Sequence, residues 1–338
     1  MNSWEVEADK LYETAFGRLD VFAHITHTLI ELGYFSGMEY QKAKEKVRSR
    51  YRHIKRIPSP KVDVIGDEAV MPKENRIVVE NQEPSILNVN WKGNRIVRFG
   101  LVGDTHINSK YTQLTYLHDI YNRFQHEGIK HVYHTGDIDE GEQMRTGHQY
   151  ECYEQGADAH VREIINVYPK HDGITTHFIT GNHDASLIKR AGYNIGVSIA
   201  EKRSDMEYLG PDCAIVMLTP NCSLELRHPW DGTAYAISYK SQKLIESIAG
   251  GEKTNILAIG HYHKAEYLFY RNVHCFQTGT FCAQTPFMKG KAISAHMGGW
   301  LVEIEVDELG HIQRIMPQFI PQYVGIKDDW KNWQTMKG

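Results

Sequence analysis

Alternation between short β-branched runs and helical segments limits the fold of this chain more than any other feature of its sequence. Strand-like runs at 95–103, 131–136 and 174–181 are separated by helical patterns near 111–127 and 150–168. Strands that alternate with helices are joined by right-handed βαβ crossovers and form a parallel sheet. We therefore predict an α/β domain with a parallel core sheet.

The second half of the chain is richer in strands. After Leu209 a single helical segment is predicted, at 241–249, and the remaining patterned segments favour strands. These segments are 213–219, 223–228, 255–260, 265–270, 273–279, 300–306 and 313–319. We expect them to form a second sheet that packs against the first.

Composition excludes several classes of protein. With 41% hydrophobic and 24% charged residues among 338, the chain is typical of a folded globular protein. The longest uncharged apolar stretch, 213–224, is shorter than the ~20 residues that cross a bilayer, and the N-terminus has no signal-peptide pattern, so we expect neither membrane insertion nor secretion. The five cysteines include no C-x-x-C pair, which favours a reducing, cytoplasmic compartment over a disulfide framework.

The N-terminal segment has a different pattern. Apolar residues recur every three or four positions up to Leu29 and predict an amphipathic helix that ends at Gly33. Ser36 and Glu39 match a capping box that would open a second helix before Pro58. We predict a helical N-terminal domain, a linker or irregular edge segment, and a catalytic domain, with bounds 1–61, 62–94 and 95–338.

Basic residues are concentrated in this N-terminal segment. Residues 42–61 contain nine Lys or Arg against one acid, Glu45, in a chain whose net charge is −4. A basic second helix suits a helix-turn-helix module that contacts nucleic-acid phosphates. The contacts would come from Lys46, Arg48, Arg50 and Arg52. A solvated face and a helix pair that mediates homo-oligomerisation remain alternatives.

Polar motifs follow the predicted strands of the larger domain. They contain Asp104 and His106, Asp137, Asn182 and His183, and His261 and His263. Because ligands of open α/β sheets bind beyond the carboxyl ends of strands, we expect these side chains to converge. If strand geometry persists, residues two apart, such as Asp104 and His106, point to one side. The glycine before each motif would let the backbone turn sharply and approach an ion or phosphate closely.

Together with His228, these motifs supply seven potential metal ligands, not counting His183. Seven donors exceed the needs of one ion but suit two ions that share a bridging carboxylate. Imidazole and carboxylate ligands without thiolate favour manganese, with iron or zinc as alternatives.

The ordered pattern D-x-H, G-D, G-N-H-D, H and G-H-x-H resembles that of the calcineurin-like metallophosphoesterases. This resemblance implies a two-sheet α/β sandwich over about 95–319 and two divalent metal ions. It implies one ion on Asp104, His106, Asp137 and His263, and the other on Asp137, Asn182, His228 and His261. By the same analogy His183 would be the catalytic residue that protonates the leaving oxygen or stabilises transition-state charge.

Three expectations concern neighbouring residues. His228 is followed by proline, whereas the family often has a small residue or glycine there, so we keep His177, His274 and His296 as alternative ligands. Asp139, Glu140 and Glu142 are expected to form a solvated acidic loop. Trp230 is expected to be a core or docking residue and not a base-stacking platform.

The leading functional hypothesis is a metal-dependent phosphodiesterase that acts as a nuclease on DNA. Such a nuclease would resemble the exonuclease subunits of double-strand-break repair complexes, and the N-terminal helices would position the DNA. One alternative is a small-molecule phosphoesterase acting on nucleotides, cyclic nucleotides or phosphoproteins. Another is a non-catalytic scaffold with the same fold.

Overall fold

The chain forms two compact units, Met1–Ile77 and Val78–Gly338, which are described separately. The computed structural model describes residues 7–8, 10–11, 21–51, 84–249 and 251–333, with side chains except at 21–24 and 48–51. The predicted domain bounds stay predictions, since 62–83 lie outside the described residues.

The first unit contains helices α1 (Val21–Glu31) and α2 (Tyr40–Tyr51). A turn over 32–37, with Gly33 and Gly37 at positive φ, separates them. Helix α2 therefore begins three residues later than the capping-box pattern predicts. The small core of this unit consists of Ala8, Ile25, Leu29, Phe35, Ala43 and Val47.

The second unit is built on two six-stranded sheets. Sheet 1 has the order β12-β11-β2-β3-β4-β5, and sheet 2 has the order β1-β6-β7-β8-β10-β9. The strands of sheet 1 are β2 (Ile96–Val102), β3 (His131–His134), β4 (Thr175–Thr180), β5 (Met206–Pro211), β11 (Met297–Val306) and β12 (Ile312–Gln322). The strands of sheet 2 are β1 (Ser85–Asn88), β6 (Cys213–Thr219), β7 (Cys222–Arg227), β8 (Ile256–Ile259), β9 (Ala265–Tyr270) and β10 (Val273–Thr278).

Apolar faces of the two sheets pack against each other and form the central core. Phe99 and Tyr133 of sheet 1 and Val216 and Phe276 of sheet 2 belong to this core. A second core lies on the opposite face of sheet 1, where the helices Leu114–His126 and Ala157–Val167 pack. The helices of the unit are α3 (Leu114–His126), α4 (Ala157–Val167), α5 (Ala185–Ala191), α6 (Ile195–Lys202), α7 (Tyr239–Ser247), α8 (Pro286–Gly290) and α9 (Asp329–Asn332).

This architecture confirms the predicted α/β fold with two packed sheets. Strands β2 to β5 pair in parallel, as the βαβ pattern predicts. The assignment of every late strand to the second sheet is wrong, because β11 pairs with β2 and β12 pairs with β11. Strand β1, in the predicted linker, pairs with β6 at the edge of sheet 2. None of the described helices combines the length and hydropathy that a bilayer crossing requires.

Candidate metal centre

The predicted ligands meet where strands of both sheets end. Asp104 and Asp137 follow β2 and β3, and Asn182 follows β4 of the same sheet. His106 also follows β2, whereas His228 follows β7 of sheet 2, and His261 and His263 follow β8. All seven predicted side chains are therefore brought to one region by the convergence of strand ends that the sequence pattern indicates.

One cluster contains Asp104, His106 and His263. The Nε2 atoms of the two histidines lie 3.0 Å apart. Asp104 Oδ1 is 3.4 Å from His263 Nε2 and 4.0 Å from His106 Nε2. Two imidazole nitrogens that face each other beside a carboxylate form a donor set that a divalent cation satisfies.

A second cluster contains Asp137, His228 and His261. His228 Nε2 lies 3.2 Å from Asp137 Oδ2 and 3.1 Å from Asn182 Oδ1. His228 Nδ1 donates a hydrogen bond to the carbonyl oxygen of Thr135 at 2.7 Å, which leaves Nε2 to face the cluster. Asp137 Oδ2 is also 3.9 Å from His106 Nε2. Asp137 therefore lies between the two clusters.

The three alternatives to His228 have partners elsewhere. His177 contacts His131 and Glu207, and His274 contacts Tyr267. His296 Nδ1 accepts a hydrogen bond from a backbone amide at the start of β9. Geometry therefore favours His228 over these alternatives.

The backbone at the ligands is not strand-like, so the argument from strand geometry is wrong. Asp104 and His106 have φ angles of 50° and 45°, in the left-handed region. Asp137, His261 and His263 share this conformation, with φ between 54° and 77°. Such conformations cost about 1–3 kcal/mol each and persist where the surrounding structure enforces them, commonly at functional sites.

Two glycines allow the close approach of ligands. A Cβ at Gly181 would lie 2.3 Å from Asp137 Oδ1 and 2.6 Å from His228 Nε2. At Gly136, where φ is +93°, a Cβ would lie 2.7 Å from His228 Nδ1. Gly181 is therefore required for space and not for the sharp turn that the sequence suggests.

The expectation of a solvated acidic loop is wrong for Asp139 and Glu140, which are both buried. Asp139 contacts His160 at 2.7 Å. Glu140 Oε1 lies 2.7 Å from His148 Nε2, and Oε2 lies 3.0 Å from His106 Nδ1. The Glu140 carboxylate therefore links the predicted ligand His106 to His148, a contact that no sequence motif indicated.

This contact makes Glu140 a positioning residue. Its carboxylate favours a proton on His106 Nδ1 and so presents Nε2 to the first cluster. We expect Glu140→Gln to weaken the binding of Mn²⁺ by about 10- to 100-fold, the usual effect of changing such a partner. Competition with a chelating dye measures this affinity. Glu142→Gln is the matched control, since that carboxylate contacts Arg190 and the Gly156 amide; an equal affinity for all three proteins would contradict the role.

His183 belongs, with His106 and Glu140, to a third group of potential ligand atoms, but to neither group that contains Asp104 or Asp137. Its backbone N–H donates to Asp137 Oδ1 at 2.9 Å, and its Nδ1 donates to the Glu140 carbonyl oxygen at 2.6 Å. Burial lowers the pKa of His183 to about 4. The ring is therefore neutral at pH 7, and Nε2 is the ring nitrogen that remains for a substrate.

Asp184 has a role that the motif did not indicate. Its buried carboxylate accepts hydrogen bonds from the backbone amides of Gly181 and Asp139 at 2.8 Å and of Ile138 at 3.3 Å. These bonds tie the loop after β3 to the loop after β4. The Asp184 side chain therefore fixes the positions of Asp137 and Asn182 relative to each other.

The electrostatics of the cluster fit bound cations. Among the described residues, the ion pairs of Asp104 and Asp137 involve histidine only. Although burial disfavours the charged form of His228, the nearby carboxylates, above all Asp137, raise its pKa to about 10. Glu140 likewise raises the pKa of His106, against burial, to about 9. Buried negative charge in such excess requires compensation, which divalent ions supply.

A cleft of about 550 Å³ opens onto these ligands. Its floor includes His106, Asp137 and His183. Its walls include Phe287 and Trp230, whose rings are 43% and 48% exposed. Trp230 therefore does not belong to the core, and the alternative that it is a docking residue stays a prediction.

Comparison with known proteins gives one family match. A model of the calcineurin-like phosphoesterase superfamily domain matches residues 97–294. This range contains the seven predicted ligands and His183. No curated protein matches the chain.

Solved structures with some similarity share little sequence with the chain. An archaeal protein described as a novel phosphodiesterase is 13% identical, with a TM-score of 0.37, over 66% of this chain and 100% of that protein. Vps29 from Entamoeba histolytica, in complex with zinc, is 12% identical, with a TM-score of 0.34, over 67% and 100%. A hypothetical protein from Pyrococcus horikoshii OT3 is 11% identical, with a TM-score of 0.42, over 70% and 91%.

Proposed function

This chain belongs to the calcineurin-like phosphoesterase superfamily, and on that basis we propose that it is a two-metal phosphodiesterase that acts as a nuclease on DNA. The observation that carries the catalytic part is the pair of adjacent ligand clusters, with Asp137 of the second cluster 3.9 Å from His106 of the first. A phosphodiester is already anionic, so its hydrolysis requires positive charge where further negative charge develops.

Two divalent ions would be held by the residues of the two clusters. Asp104, His106 and His263 would bind one ion. Asn182, His228 and His261 would bind the second ion. Asp137 would be shared between the two ions. When bound, such ions stabilise charge on the phosphoryl oxygens and make water a nucleophile near neutral pH.

The protein's own groups position the reaction and transfer its proton. His183 lines the cleft beside Asp137, and its Nδ1 proton is held by the Glu140 carbonyl oxygen. Nε2 is unprotonated in this neutral ring, so it would first take up a proton from solvent, where the attacking water releases one, as developing negative charge raises the affinity of the ring for it. Nε2 would then pass that proton to the leaving oxygen. Glu140 holds His106, and Asp184 holds the two loops that carry Asp137 and Asn182.

The DNA part of the proposal is supported by the basic segment at 42–61. Helix α2 contains part of this segment, and Lys46 on it is exposed. The side chains of Arg48 and Arg50, and all of Arg52, lie outside the described residues. A polyanion would be attracted to such a segment in a chain that is otherwise net acidic.

The small-molecule alternative is favoured by one observation, the volume of the cleft. A cleft of about 550 Å³ falls within the range that accommodates a small ligand. A substrate panel separates the two functions: bis(4-nitrophenyl) phosphate, mononucleotides, cyclic nucleotides, and single- and double-stranded DNA. Each is tested with Mn²⁺, Mg²⁺, Zn²⁺ or EDTA. Hydrolysis of aryl phosphodiesters without any cleavage of DNA would favour the small-molecule function, and no hydrolysis with any metal would favour a scaffold.

Salt dependence tests the basic segment. If about six basic side chains meet phosphates, the slope of log affinity for DNA against log salt should be about −5. We expect replacement of Lys46, Arg48, Arg50 and Arg52 by Gln to reduce that slope by up to about 4, because each lost contact releases about one counterion fewer. Fluorescence anisotropy with labelled DNA over a salt series measures both slopes.

The control replaces four exposed basic residues of the second unit, Lys130, Arg162, Lys170 and Lys202, by Gln. This variant has the same net charge change and should keep the slope of the unmodified protein. Equal slopes for all three proteins would leave the basic segment as a solvated face and favour the small-molecule function.

A further inference from the structure

The cleft extends beyond the metal centre, and the side chains that line this extension restrict the chemical class of the substrate. Beside the ligand residues, the walls contain Phe287, Met288, Ile293 and Trp230, which are apolar or aromatic. A phosphodiester placed with its phosphorus at the metal centre would therefore put an organic group against these side chains. Such walls suit a planar, apolar group better than a sugar or a peptide backbone.

Two exposed rings at this cleft are each held in place by other side chains. The guanidinium of Arg145 lies 4.6 Å from the centroid of the Phe287 ring, and Arg145 also forms an ion pair with Glu151. Trp230 Nε1 donates to Asp212 Oδ1 at 2.8 Å, and Lys189 Nζ lies 4.1 Å from the Trp230 ring. Both rings are therefore pre-positioned beside a cation while about half of their surface stays exposed.

Positive charge at the cleft complements a second anionic group. Arg145 and the exposed Lys291 both line it, and the carboxylate of Asp231, which lines it as well, forms an ion pair with Lys240. Aromatic platforms combined with cations are the usual means of binding single-stranded nucleic acid, because bases stack on the rings while the backbone phosphates meet the cations. An aryl or alkyl ester without further charge would use only the aromatic part of this lining.

The volume of the cleft distinguishes between single-stranded and double-stranded DNA as the substrate. A cleft of about 550 Å³ accommodates a ligand on the scale of one nucleotide. A base pair with its flanking backbones is too large to enter it.

We propose that this cleft is a nucleoside subsite for single-stranded DNA, in which the base next to the scissile phosphate stacks on Phe287 and a neighbouring phosphate contacts Arg145. The subsite rests on the proposed nuclease function and specifies its substrate. It assigns Phe287 and Arg145 to substrate recognition, outside the two ligand clusters.

The test compares two oligonucleotides with the same phosphates, an oligothymidylate and the same backbone with abasic units. With the full-length, Mn²⁺-loaded protein, Phe287→Ala should lower kcat/KM for the oligothymidylate by about 5- to 150-fold, the range for one lost stacking contact. Cleavage of the abasic strand should change by less than about twofold. Arg145→Gln should lower kcat/KM for both strands by similar factors, since both carry phosphate. Unmodified protein should cleave the oligothymidylate at least about tenfold faster than a blunt duplex of the same length.

Phe269→Ala is the matched control, since Phe269 is 56% exposed on β9 and does not line the cleft. Metal content and melting temperature establish that each variant is folded and loaded. Equal losses on the two strands in Phe287→Ala, or no loss on either, would overturn the subsite while leaving the nuclease function intact. Cleavage of bis(4-nitrophenyl) phosphate by the unmodified protein without cleavage of either strand would overturn both. Equal rates on duplex and single strand would overturn the restriction to single strands.

Discussion

Replacing Asp137 by Asn is expected to reduce metal content at both sites, from two ions per chain in the unmodified protein, and to lower hydrolysis of bis(4-nitrophenyl) phosphate by about 10³-fold or more. Asp137 lies between the two clusters, 3.2 Å from His228 and 3.9 Å from His106, so one substitution affects both. Charge stabilisation by metal ions contributes several kcal/mol, and each ~1.4 kcal/mol corresponds to a factor of ten in rate. Elemental analysis and a chromogenic rate assay measure the two effects.

The control for Asp137 is Asp172→Asn, which changes an exposed carboxylate on the turn before β4. This variant should retain two ions and full activity. If Asp137→Asn keeps both ions, Asp137 is not the bridging ligand. Loss of one ion only would assign it to a single site.

Replacing His183 by Ala or Gln is expected to leave metal content unchanged and to lower turnover by about 10²- to 10⁴-fold, the range for a lost proton donor. The metal site survives because the contact that holds Asp137 comes from the His183 backbone amide, which substitution preserves. The measurements are single-turnover rates together with elemental analysis. His274→Gln, a histidine that contacts Tyr267 away from the cleft, is the control.

Substrates with different leaving groups separate the two roles of His183. A 4-nitrophenolate needs no proton to leave, whereas the alkoxide released from DNA does. A proton donor therefore predicts a much larger loss on DNA than on bis(4-nitrophenyl) phosphate, while a group that stabilises transition-state charge predicts similar losses on both. Loss of metal in either His183 variant would show instead that it is a ligand.

Local sequence patterns determined the main elements and the identity of the central side chains. The β-branched runs that became β2, β3 and β4 each ended in polar residues, and the carboxyl ends of parallel strands necessarily lie at one edge of a sheet. The periodicity of hydrophobic residues and the polar residues that end each run depend only on neighbouring positions, so both patterns could be recognised without knowledge of the fold. The family match over 97–294 agrees with the ordered motifs.

Other features depend on residues that are distant in the chain, and only the tertiary structure decided them. Glu140 is buried because His106, from the loop after β2, and His148, from further along the same connection after β3, both contact its carboxylate, although its own neighbours resemble a solvated acidic loop. The left-handed backbone at Asp104 and His106 is enforced by packing around the site, since no local signal calls for it at non-glycine residues.

The placement of the strands in the two sheets and the lining of the cleft also depend on contacts between residues that are distant in the chain. Strands β11 and β12 read locally like the strands of sheet 2, and only pairing with β2 placed them in sheet 1. Phe287, on helix α8, and Trp230, in the loop after β7, line one cleft because these two separate parts of the chain converge there. Local sequence thus determined which side chains follow each strand. Long-range packing determined the burial, the backbone strain and the neighbours of each side chain, because these properties are defined only by contacts between distant segments.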